Sequence, residues 1–482
     1  MRPICLAIVP ILCVTAIAAA QTHAQAIDSL MAGYAAPNGP GASVLVIRNG
    51  KTVFTKGYGR ADIEGGVAVT PATNFRLASL TKQFTATAVM LLVAEHRLRY
   101  DDDITRLIPG LPAFARGVTV RQLLTHTSGL PDYEDFVPVS QTVQVHDADI
   151  PRLIAHADAP KFAAGTRYAY SNTGYGLLSL IIEHVSGIGY ARFLRERIFA
   201  PLHMTGTVAY EEGRSSVPHR AYGYTLDGAI PRRTDQSNTS AVLGDGGIYS
   251  SAVDLAKWDT ALERHTLLSA EAQRLAWTPP SLPDGARTEY GFGWFVDRET
   301  GTLRLRHHGE SRGFTNGIIR YPERRLTVVV LTNRTGGAPW DIAQRIAELY
   351  LGGSMGVQTW LMKGFFDTIP KDLDESAKVD GASHAQVFFG IILPLVAPIL
   401  AVTGLLAFIT TINEFMIANI FLTDPGSKTL AVGLYGLVGD ERNNNFGMFA
   451  AGSLLAAVPT VLLFQFLQRY IVGGLTIGGI KE

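Results

Sequence analysis

The sequence predicts an α+β domain followed by an α-helical membrane segment. Three observations carry this. β-rich runs stand at both ends of the stretch 27–351, with helical patterns between them. That arrangement implies an antiparallel sheet assembled from both termini, flanked by helices and carrying a helical insertion. Asn49-Gly50, a strong short-range hairpin signal, joins the first two runs. Far downstream, Gln386–Asn413 and Asn443–Gln468 contain no Asp, Glu, Lys or Arg. Each run is long enough to cross ~30 Å of hydrocarbon as a helix.

In chain order, Arg2, the apolar stretch Ile4 to Ala20 and Ala24-Gln25-Ala26 read as a charged region, a hydrophobic region and a cleavage site. Together they predict a secretory signal peptide over 1–26. Both cysteines, Cys5 and Cys13, lie inside it. The mature chain then needs no disulfide and no thiolate metal site. Asp28–Tyr34 predicts a short helix, and Ala42–Ile47 with Thr52–Tyr58 the paired strands around Asn49-Gly50. Phe75 to Leu92 reads as a short approach into a buried helix. From Asp101 to Ala241 helical patterns alternate with Gly/Pro-rich loops, with helices at Leu177–Val185 and Ala191–Phe199. Strands return at Leu303–His307, Thr315–Tyr321 and Leu326–Thr332, and Asp341–Leu351 closes the domain as a helix. Residues 352–356 (GGSMG) form a Gly/Ser linker. The tail, 357–482, carries expected transmembrane helices at about 387–412 and 446–468. Formal net charge is zero and no Lys/Arg-rich tract occurs, so nothing points to a nucleic-acid partner.

The most informative short pattern is Ser79-Leu80-Thr81-Lys82. Residues three apart at a helix start share a face, which lets an amine sit against a hydroxyl. A serine at a helix N-terminus also has backbone N–H groups and the helix dipole beside it, which favour a developing oxyanion. One Ser-x-x-Lys is weak, since roughly two are expected by chance in a chain of this length. Two partners follow it: Tyr170-Ser171-Asn172 and His307-His308-Gly309.

This order resembles that of the serine β-lactamase-like hydrolases: class C β-lactamases, D-Ala-D-Ala carboxypeptidases, D-aminopeptidases and related esterases. Leu123–Tyr133 (LLTHTSGLPDY), Tyr170–Glu183, Gly244–Trp258 and Gly313-Phe314 extend the resemblance over about 27–351. It implies Ser79 as nucleophile and Lys82 as the nearby base or proton shuttle. Tyr170 would share proton transfer, and Asn172 would bind Lys82 or the substrate amide. The N–H groups of Ser79 and Glu310 would form the oxyanion hole, beside His307 and Gly309. The Gly two residues on favours His307 over His308 as the motif histidine. His126 is expected to hold a loop. His126, His307 and His308 lack metal-ligand spacing with Cys, Asp or Glu, so neither metal nor cofactor is expected. One departure matters. Related penicillin-recognising enzymes have Lys-Thr-Gly where this chain has His-His-Gly. A histidine is only partly charged near neutral pH. Carboxylate binding should weaken, and small esters, D-amino-acid amides or peptides become better expected substrates than β-lactams. A binding module that keeps the pocket without turnover is the alternative of a different class.

The tail resembles the C-terminal part of a maltose-type sugar ABC-transporter permease. Glu375-Ser376-Ala377, Asp380-Gly381-Ala382 and Ile392-Leu393-Pro394 carry this, with the closing Gly473–Lys481. The resemblance implies a coupling loop, including Glu375 and Gly381, that docks on a cytoplasmic ATPase partner. The chain lacks the preceding membrane helices of such permeases and has no Walker motif. The signal peptide places the hydrolase in the periplasm at the inner membrane. Lys363, Lys371 and Lys378 before the first run favour the opposite orientation. Three readings stay open: a membrane anchor, a bifunctional transporter–hydrolase, and a junction produced by rearrangement.

Overall fold

The computed structural model describes residues 23–138, 140–299 and 301–351; in the tail it describes 376–377, 381–397, 400, 404–405, 408, 430–435, 437 and 446–477. Most of the expected signal peptide, the linker and Glu375 lie outside the described residues. The chain divides into two compact units, Met1–Leu349 and Tyr350–Glu482.

The first unit is built on a six-stranded antiparallel sheet. Its strands are β1 (Ala42–Arg48), β2 (Lys51–Tyr58), β3 (Phe295–Glu299), β4 (Thr302–Ser311), β5 (Phe314–Tyr321) and β6 (Leu326–Thr332). They are ordered β3-β4-β5-β6-β1-β2, so the two termini meet where β6 pairs with β1, Ala42 opposite Thr332. Asn49 and Gly50 both take left-handed φ values, 53° and 72°. This is the conformation that a two-residue hairpin turn of the I′ type demands. All seven residues of β6, LTVVVLT, are buried. β-branched side chains suit such a central strand. The edge strand β3 was not anticipated. Its sequence, FVDRE, is polar because Asp297 pairs with Arg304 and Arg306 of β4 at 2.7 Å each.

Helices flank the sheet. α1 (Lys82–Ala94) runs through the core with eleven of its thirteen residues buried. α2 (Asn172–Ser186) packs on α1 and ends at Gly187, whose φ of 75° gives the usual left-handed stop. α3 (Ala252–Arg264) lies against β1 and β6. Its buried Asp259 accepts from Arg320 of β5 at 2.9 Å and from Thr327 of β6 at 2.6 Å. α4 (Pro339–Leu351) closes the unit.

In the second unit, α5 (Phe446–Ile477) is long, and Phe446–Phe466 is apolar enough to cross a membrane. Leu454, Leu455 and Leu462 stand exposed on it. Among the described residues it is the one such helix outside the folded core, where two were expected. The first expected span is described only in part. Its His384–Ala397 portion is apolar but too short to cross, and most of 398–412 lies outside the described residues. Gly381 of the expected coupling loop has φ 82°.

Candidate active site

Phe75-Arg76 pairs with Tyr249-Ser250, and Leu77 N–H donates to the Ile248 carbonyl. Asn316 of β5 donates to the carbonyls of Arg76 (2.8 Å) and Leu77 (3.3 Å). The approach to Ser79 is thus sewn to the sheet from both sides. Ala78 then takes φ 50°, a left-handed value that costs a non-glycine residue energy and is kept only where the surroundings over-determine it. Ser79 follows in the 3₁₀ turn Ala78–Thr81 that leads into α1. Next to this turn runs β4. A Cβ on Gly309 would lie 2.2 Å from the Leu77 carbonyl oxygen, so only glycine lets the strand approach this closely.

Lys82 is fully buried, and its three side-chain bonds are all directed at the site. Nζ donates to Ser79 Oγ (2.9 Å), Asn172 Oδ1 (2.9 Å) and the Asp245 carbonyl (3.0 Å). Asn172 opens α2, and its backbone N–H donates to Asp132 Oδ2 at 2.8 Å. The Tyr170 ring lies over Lys82, with Nζ 5.0 Å from its centroid. That ring also stacks on Phe295 (6.1 Å, 7°) and meets His126 at a tilt (4.2 Å, 35°). Ser79, Asn172 and Glu310 line one cavity, together with Arg76, Glu134 and Asp245.

His307 is placed differently. It is fully buried, bonds Tyr290 Oη through Nε2 (2.8 Å) and donates from Nδ1 to the His308 carbonyl (2.7 Å). Burial, with Lys82 nearby, pushes its pKa well below the ordinary histidine value, so the ring is neutral. His307 is not among the residues that line the cavity. Gly309 acts by allowing close approach. The expectation missed three features. The Asp245 carbonyl as third partner of Lys82 is a backbone group and leaves no trace in residue type. Asp245 sits inside Gly244–Trp258, a stretch whose resemblance was read as a whole and not residue by residue, and Glu134 lies one residue past the end of Leu123–Tyr133. Among the described residues no cluster of His, Cys, Asp or Glu could hold a metal.

A serine at the mouth of a helix, tied through a buried lysine to an asparagine on a second helix, beside a strand of an antiparallel sheet, defines the class of Ser-x-x-Lys serine hydrolases. Residues 24–351 match the Beta-lactamase family, and the chain belongs to it. Penicillin-binding protein 4* of Bacillus subtilis is 30% identical over 446 residues, covering 87% of this chain and 94% of that protein. A penicillin-binding protein homologue from Pyrococcus abyssi superposes with TM-score 0.59 at 28% identity, over 71% of this chain and 81% of its own. D-amino acid amidase from Ochrobactrum anthropi does so with TM-score 0.58 at 27% identity, over 68% and 97%. Residues 327–476 match the family described as binding-protein-dependent transport system inner membrane component. Here the maltodextrin permease MdxG of B. subtilis is 44% identical over 136 residues, 28% of this chain. The chain spans about half the length of that permease (49%).

Proposed function

We propose that the first unit hydrolyses small esters and D-amino-acid amides through an acyl-enzyme, and that the tail tethers it to a membrane. The observation that carries the chemistry is the 2.9 Å contact between Lys82 Nζ and Ser79 Oγ. The step runs with Lys82 neutral: Nζ then carries two hydrogens and turns its lone pair to the Ser79 hydroxyl, and Oγ forms a bond to the acyl carbon while its proton passes to Nζ. Asn172 and the Asp245 carbonyl already hold the other Nζ hydrogens, so the nitrogen stays aimed during transfer. The carbonyl oxygen becomes an oxyanion facing the N–H groups of Ser79 and Glu310. The proton travels by way of Tyr170 to the departing amine or alkoxide. Water then repeats the attack, releasing the acid and restoring the Ser79 hydroxyl.

The cavity's charge favours one kind of substrate. Glu134 and Glu310 stand exposed at its rim. Arg76 also lines the cavity but is 3% exposed; its Nη2 donates to the Ser240 carbonyl, while Nε and Nη1 have no partner among the described residues. His307 is neutral and the exposed charges of the lining are the two glutamates, so a free ammonium meets Glu134 more readily than a carboxylate meets the buried Arg76. This supports amine-bearing amides and esters over β-lactams and D-Ala-D-Ala peptides, whose carboxylates need a cation.

A fluorophosphonate or activated-ester probe is expected to label Ser79, and Ser79→Ala to abolish labelling. Labelling that survives the substitution sinks the nucleophile assignment. A binding module without turnover would take up no probe at all. In a substrate panel kcat/KM is expected to be highest for D-amino-acid amides and short esters; cephalosporins at the top would overturn the substrate reading. The 44% identity to MdxG favours a second reading of the tail, a permease fragment working with partner chains. Sugar uptake that depends on Glu375 and Gly381 would establish that reading.

A further inference from the structure

We infer that His126 is the positioning residue of the Tyr170-x-Asn172 motif. It holds the three-residue segment before and within the motif by two hydrogen bonds and one ring contact. The His126 carbonyl accepts from Ala169 N–H (3.0 Å). Its Nδ1 accepts from Ser171 N–H (3.2 Å). Between these two, the imidazole packs on the Tyr170 ring at 4.2 Å. One residue, through its carbonyl and its ring, therefore sets the height and the tilt of Tyr170 and the start of α2, where Asn172 accepts from Lys82.

The local backbone is built for this. His126 has φ 55°, which turns its carbonyl and its side chain toward the same segment. It is 2% exposed, with Tyr175 and Tyr290 packed around it. An acceptor at Nδ1 requires the ring proton on Nε2 and a neutral imidazole. Burial first, then Lys82 and His307, hold the ring neutral by pushing its pKa well below the ordinary value. Among the described residues Nε2 has no hydrogen-bond partner. A histidine kept only to fill space would not need the costly orphan, because a phenyl ring fills the same volume. The Nδ1 acceptor is what a phenyl ring lacks.

The inference rests on the Ser79 reading, so the wild-type chain is first labelled with the activated-ester probe. Absence of labelling overturns that reading and not this one. Two variants then separate shape from acceptor. His126→Phe keeps the ring and loses the acceptor. His126→Asn keeps an acceptor near the Nδ1 position and tolerates positive φ. His126→Phe is expected to lower the acylation rate and kcat about 100-fold with KM changed less than ~3-fold, since a small misplacement of a catalytic group costs that much. His126→Asn is expected to keep kcat within ~10-fold. If one variant fails to fold, the other decides by its own threshold. Folded His126→Phe with wild-type acylation overturns the inference. So does His126→Asn as impaired as His126→Phe, and so does failure of both to fold, which would make His126 a packing residue only.

Discussion

Asp245 carries a carboxyl whose pKa is pushed up to about 7, chiefly by burial, with Asp147 and Glu134 adding to the rise and Lys82 and the Tyr133 hydroxyl opposing it. In the unfolded chain the same group titrates near 4. Between those values the folded chain holds a proton that the unfolded chain has lost. The stability this provides is complete below about pH 4 and is lost as pH rises through about 7. Asp245→Asn removes the titration and keeps an acceptor for Tyr133, which now donates to Oδ2 at 2.9 Å. The variant is expected to melt above wild type at about pH 8, by up to a few kcal/mol, with the gain shrinking toward about pH 4. A gain independent of pH would show that Asp245 is not the group responsible. Glu134 is predicted to act on selectivity. Partial shielding and Asp132 raise its pKa, against the pull of Asn172 and Lys82. Its carboxylate must be ionised to hold an ammonium. The ratio of kcat/KM for a D-amino-acid amide to that for a neutral ester should therefore fall as pH drops toward the raised pKa. Glu134→Gln should lower the ratio at least ~10-fold at neutral pH and flatten its pH dependence. An unchanged ratio would remove Glu134 from substrate recognition.

At the scale of elements, the site is a contact between a strand and a turn. β4 reaches the Ser79 turn only because Gly309 has no side chain, and its neighbour Asn316, paired opposite on β5, binds the same turn. Gly309→Ala would force β4 or the Leu77 carbonyl to move, since a gap of 2.2 Å cannot hold a methyl group. We expect a loss of about 1–3 kcal/mol in stability and a larger proportional loss in kcat, because the displaced strand carries the Glu310 N–H. Equal kcat in a folded Gly309→Ala protein would take β4 out of the oxyanion hole. These contacts explain what the sequence made legible. The hairpin at Asn49-Gly50, the central strand at Leu326–Thr332 and the helix after Ser79 follow local rules of turn chemistry and periodicity, and each is where it was expected. Edge strand β3 escaped because its polar face is satisfied by arginines that only the folded sheet brings near. The burial of His307 escaped for a related reason: a motif gives residue order, but the side a strand residue faces depends on register, and here His307 opposite Ile318 points into the core.

At the scale of the whole molecule, two units answer to different solvents. The first closes its own core, and every residue given a catalytic role lies before Leu349. The second exposes Leu454, Leu455 and Leu462 along a helix that would be insoluble in water alone. A helix apolar on all sides belongs in lipid or in a core. The full chain is therefore expected to fractionate with membranes, and a chain ending at Leu351 to be soluble with unchanged kcat/KM on a neutral ester. Ending there keeps α4, which closes the first unit, and removes all of α5. A membrane helix of ~20 apolar residues inserts effectively irreversibly, whereas the sheet needs none of that surface to close. Alkaline carbonate extraction separates the cases. Release of the full chain by carbonate would show that α5 does not insert. Loss of esterase activity in the truncated but folded chain would show that the tail shapes the active site. A membrane-bound full chain beside an active, soluble truncation would show that the tail locates the hydrolase without shaping its site, and the one spanning helix among the described residues cannot enclose a transport path by itself.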